Sequence, residues 1–109
     1  MKLTKRNICI FQNEKGKEPF TLWVGSLSYQ DRARVFTRLD RVETGNLGDC
    51  KSVGKGVFEL RLAFGSGYRI YFAEIEKTIV LLLCGGDKSS QKKDIVKAKM
   101  YWKQHQQGA

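Results

Sequence analysis

Histidine occurs once in this chain, at His105, and proline once, at Pro19, while Cys9, Cys50 and Cys84 are scattered without a CxxC pair. These residues show no ligand spacing and no disulfide framework, so neither a metal nor another cofactor is expected. Cys9 and Cys84 fall in apolar stretches, where a thiol behaves as a small hydrophobe, and a reduced cytoplasm is the expected compartment. No run approaches the roughly 18 apolar residues of a membrane span, and the opening MKLTKRNICIF lacks the apolar core of a secretion signal. A soluble, unexported chain with no membrane partner is therefore expected. Acidic groups are scarce as well: 11 Asp and Glu stand against 20 Lys and Arg, for a net charge of +9. Such an excess draws polyanions, whether nucleic acid, ribosome or an acidic protein. What remains is globular in composition, and 109 residues suit one domain, 1–109, that buries a core without staples.

Residues 6–12 (RNICIFQ) are apolar and β-rich, and read as a strand buried on both faces. After a polar turn, Pro19 suits the first position of a short helix over 20–27. Ser28, with Asp31 three residues on, approximates a capping box for a second helix over 29–44, closed by Gly45. Val35, Phe36, Leu39 and Val42 form its apolar stripe. Arg32, Arg34, Arg38 and Arg41 lie mostly elsewhere, as an RNA-facing ridge or, on the simpler reading, a solvated face. Residues 46–56 (NLGDCKSVGKG) form a glycine-rich loop without the GxxxxGK[ST] of a phosphate loop. Its Lys51 and Lys55 are polyanion contacts or ordinary loop lysines.

The stretch 57–91 organises the rest, as three successive strands. Alternation over 57–64 puts Phe58, Leu60, Leu62 and Phe64 on one face and Glu59, Arg61 and Ala63 on the other; over 68–73, Tyr68, Ile70 and Phe72 face in while Arg69 and Tyr71 face out. A three-residue Gly65-Ser66-Gly67 hairpin loop would set Arg61 opposite Tyr71 and leave Arg69 as its diagonal neighbour, roughly 7 to 8 Å away. Like charges so close repel unless an anion sits between them, which makes the pair a candidate anion site. The plainer alternative pairs Arg61 with Glu59, Glu74 or a C-terminal carboxylate. Residues 79–84 read as a central strand, and the following GGDK puts Lys88 at a strand end, where ligands gather, or in an ordinary turn. Ser89 or Ser90 should cap a last helix over 91–104, with Ile95, Ala98 and Trp102 inward and a lysine-rich remainder that includes Lys92. Asp94 in its first turn suits the helix dipole as well as chemistry. Residues 105–109 read as frayed.

Several of these residues recur in one pattern: Gly45-Asn46-x-Gly48-Asp49 with Lys51, Val53 and Gly54; Glu59-Leu60-Arg61; Gly65-x-Gly67-Tyr68-Arg69-x-Tyr71-Phe72; and Gly85-Gly86-Asp87-Lys88-x-x-Gln91-x-x-Asp94-Ile95. Over residues 20–102 the chain resembles the small toxins of the RelE/ParE superfamily, in the HigB-like group of addiction module killer proteins. The resemblance implies an α+β, RelE-like fold: an antiparallel sheet of about four strands, two N-terminal helices packed on it and a C-terminal helix. It implies the toxin of a type II toxin–antitoxin system, a ribosome-dependent mRNA endoribonuclease that inhibits translation. Its partners would be the ribosome, mRNA and an antitoxin from the adjacent gene, often a helix-turn-helix protein.

By the same resemblance Arg61, Arg69 and Lys88 grip the phosphate backbone; Gln91, Lys92, Lys51 and Lys55 are further candidate RNA contacts beside them. In-line attack by a ribose 2′-OH needs a base, a cation for the developing charge and an acid for the leaving oxygen. Arginine fills the second role and is a poor base. Here the chain departs from the best-known nucleases of the family, which carry a tyrosine or histidines near the last helix. Ile95 stands at the tyrosine position and His105 lies in the tail. Glu59, Tyr71 and Asp94 are left as acid or base candidates, and the departure keeps open a second reading: a non-enzymatic gyrase poison like the ParE branch.

Overall fold

Pro19 and Ser28 start the first two helices of the computed structural model, which describes residues 5–108. Helix α1 is Pro19–Gly25, with proline in its first turn where a missing N–H costs nothing. Helix α2 is Tyr29–Glu43; the Ser28 hydroxyl accepts the Asp31 N–H at 3.1 Å. Its end is a Schellman motif: the Gly45 N–H bonds the Val42 carbonyl and the Asn46 N–H bonds the Arg41 carbonyl, both at 2.9 Å. Gly45 sits at φ 97°, which glycine reaches without a Cβ clash. Val35, Leu39 and Val42 are buried, but Phe36, expected in that stripe, is 47% exposed. One residue beyond Val35 is a rotation of about 100°, which carries Phe36 off the buried face.

Five strands form one mixed sheet rather than an antiparallel sheet of about four: β1 Asn7–Ile10, β2 Cys50–Gly54, β3 Val57–Arg61, β4 Arg69–Ile75 and β5 Ile79–Gly86, in the order β1-β5-β4-β3-β2. Strand β2 lies in the stretch expected to be a loop. It is an edge strand with exposed Lys51 and Ser52 and a register shift between Ser52 and Gly54 against β3, so its alternation is too short to read. Strand β1 is not buried on both faces. It pairs in parallel with β5 at the other edge, and Asn7, Cys9 and Ile10 are exposed. Phe11, just past its end, supplies the burial, its ring stacked 5.2 Å from that of Tyr101.

Both faces of the sheet are covered. Helices α1 and α2 pack on Leu60, Leu62, Ile70, Phe72, Val80 and Leu82. Helix α3, Gln91–Gly108, lays Ala98 and Ile95 on Val57, Tyr71, Ala73, Leu81 and Leu83. The face expected to be outward is thus a second core, and Glu59 and Tyr71 are inside it. The β3–β4 register also differs by two: Arg61 lies directly opposite Arg69 and Glu59 opposite Tyr71. The Leu62 N–H bonds the Tyr68 carbonyl at 3.0 Å, so the connecting loop is longer than three residues. A slip of two keeps every side chain on its face, which is why the arginines still share one.

Asp87, not Ser89 or Ser90, caps the turn that leads into α3: its carboxylate accepts the Ser89 N–H at 2.9 Å, while its own N–H bonds the Ser90 hydroxyl at 3.4 Å. The tail expected to fray is helical through Gly108, with the His105 ring stacked on Trp102 at 5.7 Å; residue 109 lies outside the described residues. Among the described residues no helix is long and apolar enough to cross a membrane.

Candidate functional site

The β3–β4 register places two guanidinium groups side by side at one end of the sheet, and Glu59 lies between them. Its Oε1 is 3.4 Å from Arg61 Nε and 3.9 Å from Lys51 Nζ, and its Oε2 is 3.6 Å from Arg69 Nε. The Tyr71 hydroxyl donates to Oε2 at 3.1 Å and the Gln91 amide donates to the same oxygen at 2.9 Å. The side chain of Glu59 has no solvent exposure. Burial alone would raise its pKa, but the hydrogen bonds from Gln91, Tyr71 and Arg61 and the charge of Lys51 outweigh burial and hold it below the ordinary glutamate range. The carboxylate is thus ionised, buried and surrounded by donors. It is the anion between the arginines, supplied by the chain itself.

Its neighbours divide by accessibility. Arg61 keeps 42% of its side chain exposed, within reach of a ligand. Arg69 is 12% exposed and is held by Glu59 and by the Gly67 carbonyl, to which its Nη1 donates at 2.7 Å. Tyr71 is fully buried; burial first, then the adjacent Glu59 charge, push its phenol far above the ordinary value. A phenol so placed donates a hydrogen bond and has no route to a solvent proton. Gln91 is spent on Glu59.

Beyond the pair opens a cleft of about 560 Å³ between α2, the loop 46–49 and the ends of β3 and β4. Arg34, Arg38 and Arg41 line it together with Arg61 and Arg69. The three α2 arginines follow an i, i+4, i+7 spacing, which puts them on one helical face. The two sequence readings of these residues, an RNA-facing ridge or a solvated face, are both compatible with a stripe that lines an open cleft. The Arg38 guanidinium donates to the Leu47 carbonyl and passes over Gly48, where any Cβ would collide with it. Burial and the neighbouring Arg41 charge lower the Arg38 pKa, so an anion entering here relieves a standing repulsion. Arg34 lies over the Phe64 ring, 5.5 Å from its centre. Among the described residues Asp49 is the one carboxylate lining the cleft.

Lys88 does not line the cleft but neighbours Gly67, which does. Ser66 donates to Asp87 at 3.1 Å and the Lys88 N–H bonds the Ser66 carbonyl at 3.3 Å, which ties the end of β5 to the β3–β4 loop. Other candidates are not gathered here. Lys55 occupies the β2–β3 turn at φ 58°, at the opposite end of β3 from Arg61. Asp94 is buried beneath Gly86 and accepts the Ser90 hydroxyl at 2.5 Å. Lys92 is exposed on α3 and does not line the cleft.

Residues 22–103 match the family model described as Phage derived protein Gp49-like (DUF891). The chain belongs to the Gp49-like family. This is a toxin-like family related to the RelE/HigB addiction module killers. Every arginine of the Gp49-like cleft falls inside the matched span. The Gp49-like chain is also similar to an uncharacterized protein of Haemophilus influenzae, 46% identical over 82 residues, or 74% of this chain and 83% of the relative.

Proposed function

We propose that this chain is the toxin of a type II toxin–antitoxin pair, and that its arginine cleft grips the backbone of ribosome-bound mRNA so that the strand is cut there. The observation that carries the reading is the convergence of five arginines from α2, β3 and β4 on one cleft, two of them fixed by a buried glutamate. Guanidinium groups offset the charge that builds on the phosphate during in-line attack by the 2′-OH. Glu59 and Tyr71 are both buried out of reach of a ribose hydroxyl, so Asp49, which lines the cleft, is the candidate acceptor of its proton, and the departing 5′ oxygen takes a proton from water. Ordering of the mRNA by the ribosome supplies proximity. The cell would hold the toxin in the cytoplasm, neutralised by an antitoxin from the adjacent gene.

Primer extension on translated mRNA after induction is expected to show breaks within codons, lost in Arg61→Ala and reduced in Asp49→Asn. Growth arrest with intact transcripts would sink the reading. One observation favours a second one: Glu59 and Tyr71, the acid–base candidates beside the arginines, are buried and bonded to one another, which leaves the arginines as a charged surface without them. A gyrase poison on this fold would produce double-strand DNA breaks and leave mRNA whole.

A further inference from the structure

The outer face of α3 differs chemically from the cleft. Val96 and Met100, one turn apart, are 68% and 47% exposed, whereas Asp94 and Ala98 of the same helix are buried. At about 100° per residue, exposed Lys92, Lys93 and Lys103 fall on the face of Val96 and Met100. The one carboxylate of the helix, Asp94, points inward to Ser90. Among the described residues none of these three lysines is ion-paired.

An exposed apolar pair framed by uncompensated lysines calls for a partner that carries both apolar and acidic groups. A phosphodiester backbone would satisfy the lysines and leave the apolar pair against charge. A bilayer surface takes a broad apolar face with aromatic anchors, and this helix commits Tyr101 and Trp102 to the sheet. We propose that the outer face of α3 docks an acidic amphipathic segment of a partner protein. Its apolar side chains seat on Val96 and Met100, and its carboxylates meet Lys92, Lys93 and Lys103. No residue lining the arginine cleft takes part, so the inference stands whether or not the cleft binds RNA.

Two synthetic peptides of one composition test this against the full, isotope-labelled chain. One spaces leucines among glutamates so that a helix gains an apolar stripe; the other scrambles that order. The first should shift the amide resonances of Val96, Met100 and Lys103. Its binding should weaken about tenfold in Val96→Ser/Met100→Ser and in Lys92→Glu/Lys103→Glu, and not in Arg61→Ala. All four α3 positions are exposed, so these variants should keep the wild-type spectrum elsewhere. Equal binding of the scrambled peptide, shifts centred on Arg38 and Arg61, or undiminished binding by the α3 variants would overturn the proposal. So would α3 shifts produced by polyuridine or phosphatidylglycerol vesicles and not by the peptide.

Discussion

Glu59 holds Arg61 and Arg69 opposite one another across two strands, an arrangement that would otherwise repel. Its removal exposes that repulsion. Glu59→Gln keeps the size and the contacts to Tyr71 and Gln91 but deletes the charge, and should cost about 2 kcal/mol in denaturant unfolding. That is below the ~3–5 kcal/mol of a fully buried pair, because Arg61 is partly in water. The pH dependence carries the same signature. The folded-state pKa of Glu59 lies below the ordinary value of about 4.3, so its stabilisation is complete above that value and is lost as pH falls through the depressed one. Wild type should therefore lose stability more steeply than Glu59→Gln on acidification below about pH 4. Parallel acid profiles for the two would show that the carboxylate does not hold the arginines.

At the scale of elements, α1 is registered on the sheet by one close approach: the Trp23 indole lies where a Cβ on Gly85 would have to go. A rigid ring cannot swing aside as a lysine tip does. Gly85→Ala should cost about 1–3 kcal/mol and shift the tryptophan emission. An unchanged melting midpoint would mean that α1 lifts off freely. The sequence made the helices legible because their ends carry local chemistry, as Ser28, Gly45 and Pro19 show. Strand faces were legible too, since Phe58, Leu60 and Ile70 alternate as packing demands. The register was not, because it depends on a loop whose hydrogen bond from Leu62 to Tyr68 no local pattern announces. Nor was the burial of Glu59, which follows from α3 crossing behind the sheet. The α2 arginines were legible as a stripe, but only the tertiary fold shows what the stripe faces.

For the molecule as a whole, the charge is not spread evenly in its effect. Single-stranded RNA binding should weaken with salt on a log–log slope of about −0.7 for each phosphate neutralised. Arg38→Ala should flatten that slope by about 0.7, while Lys55→Ala, at the far end of β3, should leave it unchanged. Equal effects of the two would mean that the net charge, rather than the cleft, does the binding.

The parallel pairing of β1 with β5 has a consequence for how the chain is made. Asn7 finds its sheet partner only at Ile79, and the adjoining Arg6 binds Glu74 at 3.0 Å. Every residue lining the cleft, from Arg34 to Arg69, leaves the ribosome before that closure is possible. Joining ends so distant carries a larger loop-closure cost than any hairpin in the sheet, and it comes late. During translation the arginines of the cleft therefore leave the ribosome before strand β1 can find its partner in the sheet.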